Sequence, residues 1–248
     1  MQTSHSHRAG FVQCDYTPLM VVLSLYLTLS APHAATLDDK GHRGLHRAEK
    51  NPELVPPPIV FEEDDIERLK RGEAVYSYTH IKGHDVAVAA VTTWADPMEV
   101  WRQIRLVGEY PKVLPELTRA KTLDERTYDA FDEFKVFLDM DVSAPIPSEV
   151  VLTARYYRDQ RYLVFSQDAR QGKEKRALDH AVGYWQITPF EGDKSLVVVM
   201  ADVLPGFPVP VPMRQMFGEQ ILPNLVWNLC RTAENSINER TRALNEVE

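Results

Sequence analysis

The sequence predicts an α+β domain in which one antiparallel sheet is closed by a long C-terminal helix. Three observations predict it. A series of β-rich runs separated by turn signals fills the middle of the chain. From Met213 to about Leu244 the apolar residues recur at helical spacing. Between the two lies Pro205-Gly206-Phe207-Pro208-Val209-Pro210-Val211-Pro212, whose four prolines forbid regular ladder or helix pairing. A one-sided sheet must cover its apolar face, and the last helix is the only large element left to do so.

Residues 1–35 read as a secretory signal. Leu19 to Leu29, LMVVLSLYLTL, has the length of an apolar signal core, with Arg8 before it and the small residues of Ser30 to Ala35 after it. An uncleaved membrane anchor, or a start codon placed upstream of a soluble protein, are the alternatives. Residues 36–61 are polar, end in Pro56-Pro57-Pro58 and Ile59 to Phe61, and read as a linker. His42 and His46 sit four apart there, but Gly41 and Gly44 argue against the helix that would pair them on a metal.

The folded domain is expected over residues 62–248. Glu62 to Arg71 suits a short amphipathic helix stopped by Gly72. Val75 to Ile81 and Val86 to Thr93 form a hairpin about Lys82 to Asp85, with His80 and His84 read as exposed turn residues. Asp96-Pro97 supplies an N-cap and a first-turn proline for a helix carrying Val100, Trp101, Ile104 and Val107. Pro111 and Pro115 limit the next segment to a helical turn. In the strand Tyr128 to Met140, Phe134, Val136, Leu138 and Met140 share one face, and Asp132 interrupts it. Glu149 to Arg158, Arg161 to Gln167, Ala181 to Thr188 and Leu196 to Leu204 continue the sheet, with Gln171 to Arg176 as a charged loop. In the last helix the stripe of Met213, Met216 and Phe217 lies nearly half a turn from that of Leu222, Leu225, Val226, Leu229, Ala233 and Ile237. A kink or break is expected near Pro223.

Composition narrows the function. The 248 residues are 44% hydrophobic and 26% charged, an ordinary globular balance. A net charge of −8 speaks against a nucleic-acid partner. The two cysteines, Cys14 and Cys230, form no metal motif, and signal cleavage would leave Cys230 alone. GxSxG, HExxH and phosphate-loop patterns are absent, so no cofactor or metal is expected.

Ala95 to Trp101, Tyr110-Pro111, Leu114-Pro115, Gly183-Tyr184-Trp185, Val209 to Pro212 and Leu222-Pro223 occur in an order that resembles the START-related helix-grip superfamily (SRPBCC). The branch they resemble is that of polyketide cyclases and coenzyme Q-binding proteins. The resemblance spans roughly Gly72 to Asn238. It implies a helix-grip, Bet v 1-like fold, a curved sheet wrapped on the C-terminal helix around an apolar cavity. It also implies a hydrophobic ligand such as a lipid, quinone, sterol or polyketide.

The expected wall residues are Phe134, Leu138, Leu152, Tyr156, Trp185, Met200, Met213 and Phe217, with Phe207 near the tip of the proline loop. The same side chains could instead close into a solid core. The loop Pro205 to Pro212 is read either as a rigid connection or as a gate that touches a membrane transiently. The expected function is binding, and by extension transport, of a hydrophobic small molecule in a secreted or periplasmic protein. A cyclase or dehydratase is the alternative, with Asp132 as its candidate general acid if burial raises its pKa. An interaction module with a filled core is the third reading.

Overall fold

A computed structural model describes residues 59–81, 84–140, 149–159, 161–167, 178–206 and 208–245. The expected signal, most of the linker, Cys14, His42, His46, the charged loop and Phe207 lie outside these residues. The elements run α1 (Glu63–Lys70), β1 (Val75–Ile81), β2 (His84–Thr93), α2 (Pro97–Arg105), α3 (Tyr110–Val113), β3 (Leu117–Thr127), β4 (Phe131–Met140), β5 (Glu149–Tyr157), β6 (Tyr162–Gln167), β7 (Leu178–Pro189), β8 (Ser195–Pro205), α4 (Val211–Met216) and α5 (Leu222–Asn245). Every strand pairing is antiparallel, in the order β1-β2-β8-β7-β6-β5-β4-β3. From β3 onward the chain is a simple meander, and α2 and α3 carry it from β2 to the far edge. The expected curved-sheet, long-helix architecture is the one present.

Local chemistry explains the boundaries. Asp96 caps α2 by accepting from the Met98 amide at 2.7 Å, and Pro97 fills the first turn, where its missing N–H goes unneeded. Gly72, at φ +77, ends α1 in a left-handed conformation that glycine adopts freely. The break in the final helix falls at Phe217–Ile221, a single π turn immediately before Pro223. A proline there has no N–H for the carbonyl four residues back, and the chain absorbs the loss by widening one turn.

Two expectations need correction. The sequence reading starts the strand after the hairpin at Tyr128 and has no strand between Thr93 and Tyr128. Here Leu117–Thr127 is a full edge strand, and the Tyr128 amide donates to Phe131 O at 2.9 Å across the turn. Its exposed, charge-rich face hides it from an alternation rule. Charge on an edge also protects it from pairing with other chains. The sheet is also not one-sided at its centre. On the outer face Leu69, Val75, Val86, Val88, Val182, Tyr184, Val198 and Met200 form a second core under α1, and Ile59 and Phe61 pack against it. Strands buried on both faces read as continuous apolar runs, as 196–201 does.

The larger core fills the concave face. Leu222, Val226, Leu229 and Ala233 of α5 pack there against β2 and β8, together with Trp101 and Ile104 of α2. This is the stripe that helical spacing anticipates.

Candidate functional site

Strand register lays the concave face out in rows. One row runs Tyr78, Ala87, Ala201, Gly183, Phe165, Ala154 and Phe134 across seven strands. Three of its four smallest residues, Ala87, Ala201 and Gly183, are neighbours, so the sheet surface is lowest beneath the helix at that point. A Cβ on Gly183 would collide with the Phe165 ring and with the Met200 carbonyl oxygen. The missing side chain lets the Phe165 ring lie against strand β7. Gly218, in the π turn, permits a similar approach, because a Cβ there would meet the Tyr78 ring. Ala201, Phe165, Ala154 and Phe134 of this row face the room left between sheet and helix.

That room is a cavity of about 300 Å³. Its wall is almost entirely apolar, built mainly from β4 to β8 with α2, α3, the π turn and the first turn of α5. Of the expected wall residues, Phe134, Leu138, Leu152, Trp185 and Phe217 line it. Val209 of the proline loop and Pro205 reach it as well.

Met200 does not, and the reason is parity. It pairs with Tyr184, one residue out of phase with Trp185 and Val199, so it points into the outer core. Tyr156 faces inward but packs its ring, tilted by 43°, against that of Trp101 at 4.7 Å between centroids, in the closed core beyond the cavity, where burial raises its phenol pKa. The Met213 side chain, like Phe207, lies outside what is described.

Asp132 is buried beside Tyr156 rather than in the cavity wall. Arg158 donates to its Oδ1 at 2.7 Å, and Arg105 stands 3.6 Å from Oδ2. Arg158 also donates to the Tyr128 and Asp129 carbonyls, both at 2.7 Å. The carboxylate therefore anchors a clamp on the β3–β4 turn. It is poorly placed to donate a proton to anything in the cavity.

The charged residues of the wall were not anticipated. They are Asp85, Glu116 and Arg214. Asp85 is 2% exposed, and its Oδ1 accepts from Tyr78 Oη and His80 Nδ1, both at 2.7 Å. Burial, then the bond to Asp85, raises the Tyr78 pKa far above the ordinary phenol value, so it stays a donor. His80 Nε2 lies 3.4 Å from Arg214 Nη1. The order is consistent with one tautomer: Nδ1–H donates to Asp85 and Nε2 accepts from Arg214. Arg214 Nε and Glu116 Oε2 are buried without a hydrogen-bond partner.

His80 and His84 are thus not merely turn residues. His84 Nδ1 meets the fully buried Asp202 at 2.8 Å, and its ring lies edge-on to that of His180 at 5.6 Å. Sequence reasoning passed over these contacts because β2 was expected to start at Val86, leaving Asp85 in the turn.

The chain belongs to the family described as polyketide cyclase/dehydrase and lipid transport, whose model matches residues 94–230. No curated protein matches it. Among solved structures it is similar to the STAR-related lipid transfer protein of Xanthomonas axonopodis, with 17% identity and a TM-score of 0.54. The match covers 65% of this chain and 93% of that one. Weaker likenesses include the Zhui aromatase/cyclase of Streptomyces sp. R1128, 17% identical over 62% of this chain and 96% of that one, TM-score 0.46. Another is a START superfamily protein of Mycobacterium smegmatis, 22% identical over 62% and 99% of the two chains, TM-score 0.47. The first likeness shows the helix-grip fold.

Proposed function

We propose that this protein sequesters a hydrophobic small molecule that carries one polar, acceptor-rich end. The observation that carries this reading is the cavity of about 300 Å³, apolar along its length and charged only at Asp85, Glu116 and Arg214 among the described residues. A sphere of that volume has a surface of roughly 220 Å², and burying that much apolar ligand at about 25 cal/mol per Å² contributes roughly 5 kcal/mol. The unpartnered Nε of Arg214 orients the ligand by meeting a carboxylate, enolate or carbonyl oxygen. The family description and the lipid-transfer neighbour support a lipid-like cargo.

Mass spectrometry of an organic extract of the purified protein tests this. A stoichiometric amphipathic molecule is expected. An extract identical to that of a control protein, together with no uptake of an apolar fluorescent acid, would sink the reading. Arg214→Met should weaken an acidic ligand about 10- to 100-fold, the range set by charged hydrogen bonds of 1.5–3 kcal/mol, while sparing a neutral analogue.

Cargo exchange at a membrane through the proline loop belongs to the same proposal. Val209 reaches the cavity and Val211, two residues on, is exposed. So does secretion after cleavage behind Leu19 to Leu29, which N-terminal sequencing of the mature chain tests. One observation favours a cyclase or dehydratase as a second reading: Asp85 stands in the wall and His80, hydrogen-bonded to it from behind, completes an acid–base couple. Under that reading His80→Gln abolishes turnover and leaves binding intact.

A further inference from the structure

A second cleft, of about 200 Å³, lies at the opposite end of strands β2 and β8 from Asp85 and shares no wall residue with the apolar cavity. Four parts of the chain converge on it. Arg71 follows α1, Trp94 follows β2, Lys194 comes from the β7–β8 turn, and Trp227, Arg231 and Glu234 come from α5. In a chain of net charge −8 this wall holds three cations and one carboxylate.

The carboxylate is already committed. Glu234 Oε1 accepts from Thr93 Oγ1 at 2.8 Å and from the Trp94 amide at 3.0 Å. Its Oε2 lies 3.3 Å from Arg231. Lys194 has no carboxylate within ion-pair distance among the described residues. Its Nζ donates to the Lys70 carbonyl at 2.9 Å and rests 5.0 Å from the centre of the Trp94 ring. Arg231 is held in the same way, 4.8 Å from the Trp227 ring. Arg71 spends its Nε on Glu73, which leaves its terminal nitrogens available. Each cation is therefore fixed in direction by an indole or a neighbour, yet keeps donors unspent.

We propose that this cleft binds a phosphate group. Three cationic donors arriving from three directions suit a tetrahedral oxyanion, which offers several acceptor oxygens at once, whereas a carboxylate offers two. The volume, near that of six or seven waters at about 30 Å³ each, holds one phosphate with a few attached atoms. The phosphate comes either from a soluble ion or monoester, or from a lipid headgroup. Trp94 is 64% exposed beside the cleft, a placement suited to a membrane interface.

The test titrates the full chain with inorganic phosphate at ionic strength held constant by potassium chloride, reading tryptophan fluorescence, and separately with vesicles containing phosphatidate. Saturable binding is expected in at least one arm. It should weaken at least tenfold in both Lys194→Gln and Arg231→Gln, and recover in Lys194→Arg. Saturation by the free ion identifies a soluble ligand, and saturation by vesicles alone identifies the headgroup. Circular dichroism checks that each variant is folded, and Lys121→Gln, which removes an exposed cation from the edge strand β3 and lines neither cavity, should bind as the parent does. The proposal is overturned by the absence of saturation in both arms, or by full binding in folded Lys194→Gln and Arg231→Gln.

Discussion

Replacing Ala201 with phenylalanine tests whether the cavity is the binding site. Ala201 is buried, lines the cavity, and sits between Ala87 and Gly183 at the lowest point of the sheet. A benzyl group displaces about 100 Å³, roughly three waters' worth at 30 Å³ each. That is about a third of the 300 Å³ available. A ligand that filled the cavity would lose the same share of its buried surface, about 70 Å² and close to 1.8 kcal/mol. Its affinity should fall about 20-fold or more. The fold should not suffer in step, because a ring placed in existing space removes void at about 24 cal/mol per Å³. The assay is equilibrium binding of an apolar fluorescent acid, paired with urea unfolding of both proteins in the absence of ligand. Unchanged affinity in a variant of unchanged stability would refute the placement of the ligand between sheet and helix.

Further perturbations separate packing from chemistry. Gly183→Ala drives a Cβ into the Phe165 ring and the Met200 carbonyl, so urea unfolding should show a loss of about 1–3 kcal/mol, typical of overpacking. Asp132→Asn removes the anchor of the Arg158 clamp. With both guanidiniums more than a third exposed, the loss should be about 1–2 kcal/mol, below that of a fully buried pair, with ligand binding unaltered. Burial pushes the Cys230 thiol from 9.0 up to about 12, so it should resist disulfide reagents at pH 8 until the chain unfolds. The same shift makes the native state bind more protons than the unfolded one between about pH 9 and 12. Its contribution is therefore full below pH 9 and lost as the pH rises through that window, at up to about 1.4 kcal/mol per unit. A flat pH dependence of unfolding from pH 8 to 11 would contradict this.

The fold was legible because its strongest signals are local. Asp96-Pro97 marks the start of α2, the proline-dense stretch marks the turn into the last helix, and the change of stripe marks the break before Pro223. Half of the cavity was legible for the same reason, since Phe134 and Leu138 follow from simple alternation along β4. The errors come where alternation loses its meaning. Strand β8 is buried on both faces, so nothing in its valines and Met200 says which side is which, and the one-residue phase that separates Met200 from Val199 is fixed only by pairing with β7.

The polar end was illegible for a different reason. Asp85, His80, Tyr78 and Arg214 span 78–214 in sequence and meet only because β1 pairs with β2 while the π turn brings the final helix against Tyr78. None of these residues has local company that marks it as functional. What selects them is the combination of burial and incomplete hydrogen bonding. A guanidinium Nε and a carboxylate oxygen without partners, set in a mostly apolar wall, are costly in a filled core, and the proposed ligand would complete them. Ala154 and Ala201 point the same way, because both line the cavity and larger residues there would fill it. Small residues where the core should be thickest, with unspent polar groups at one end, distinguish a binding cavity from an imperfectly packed core.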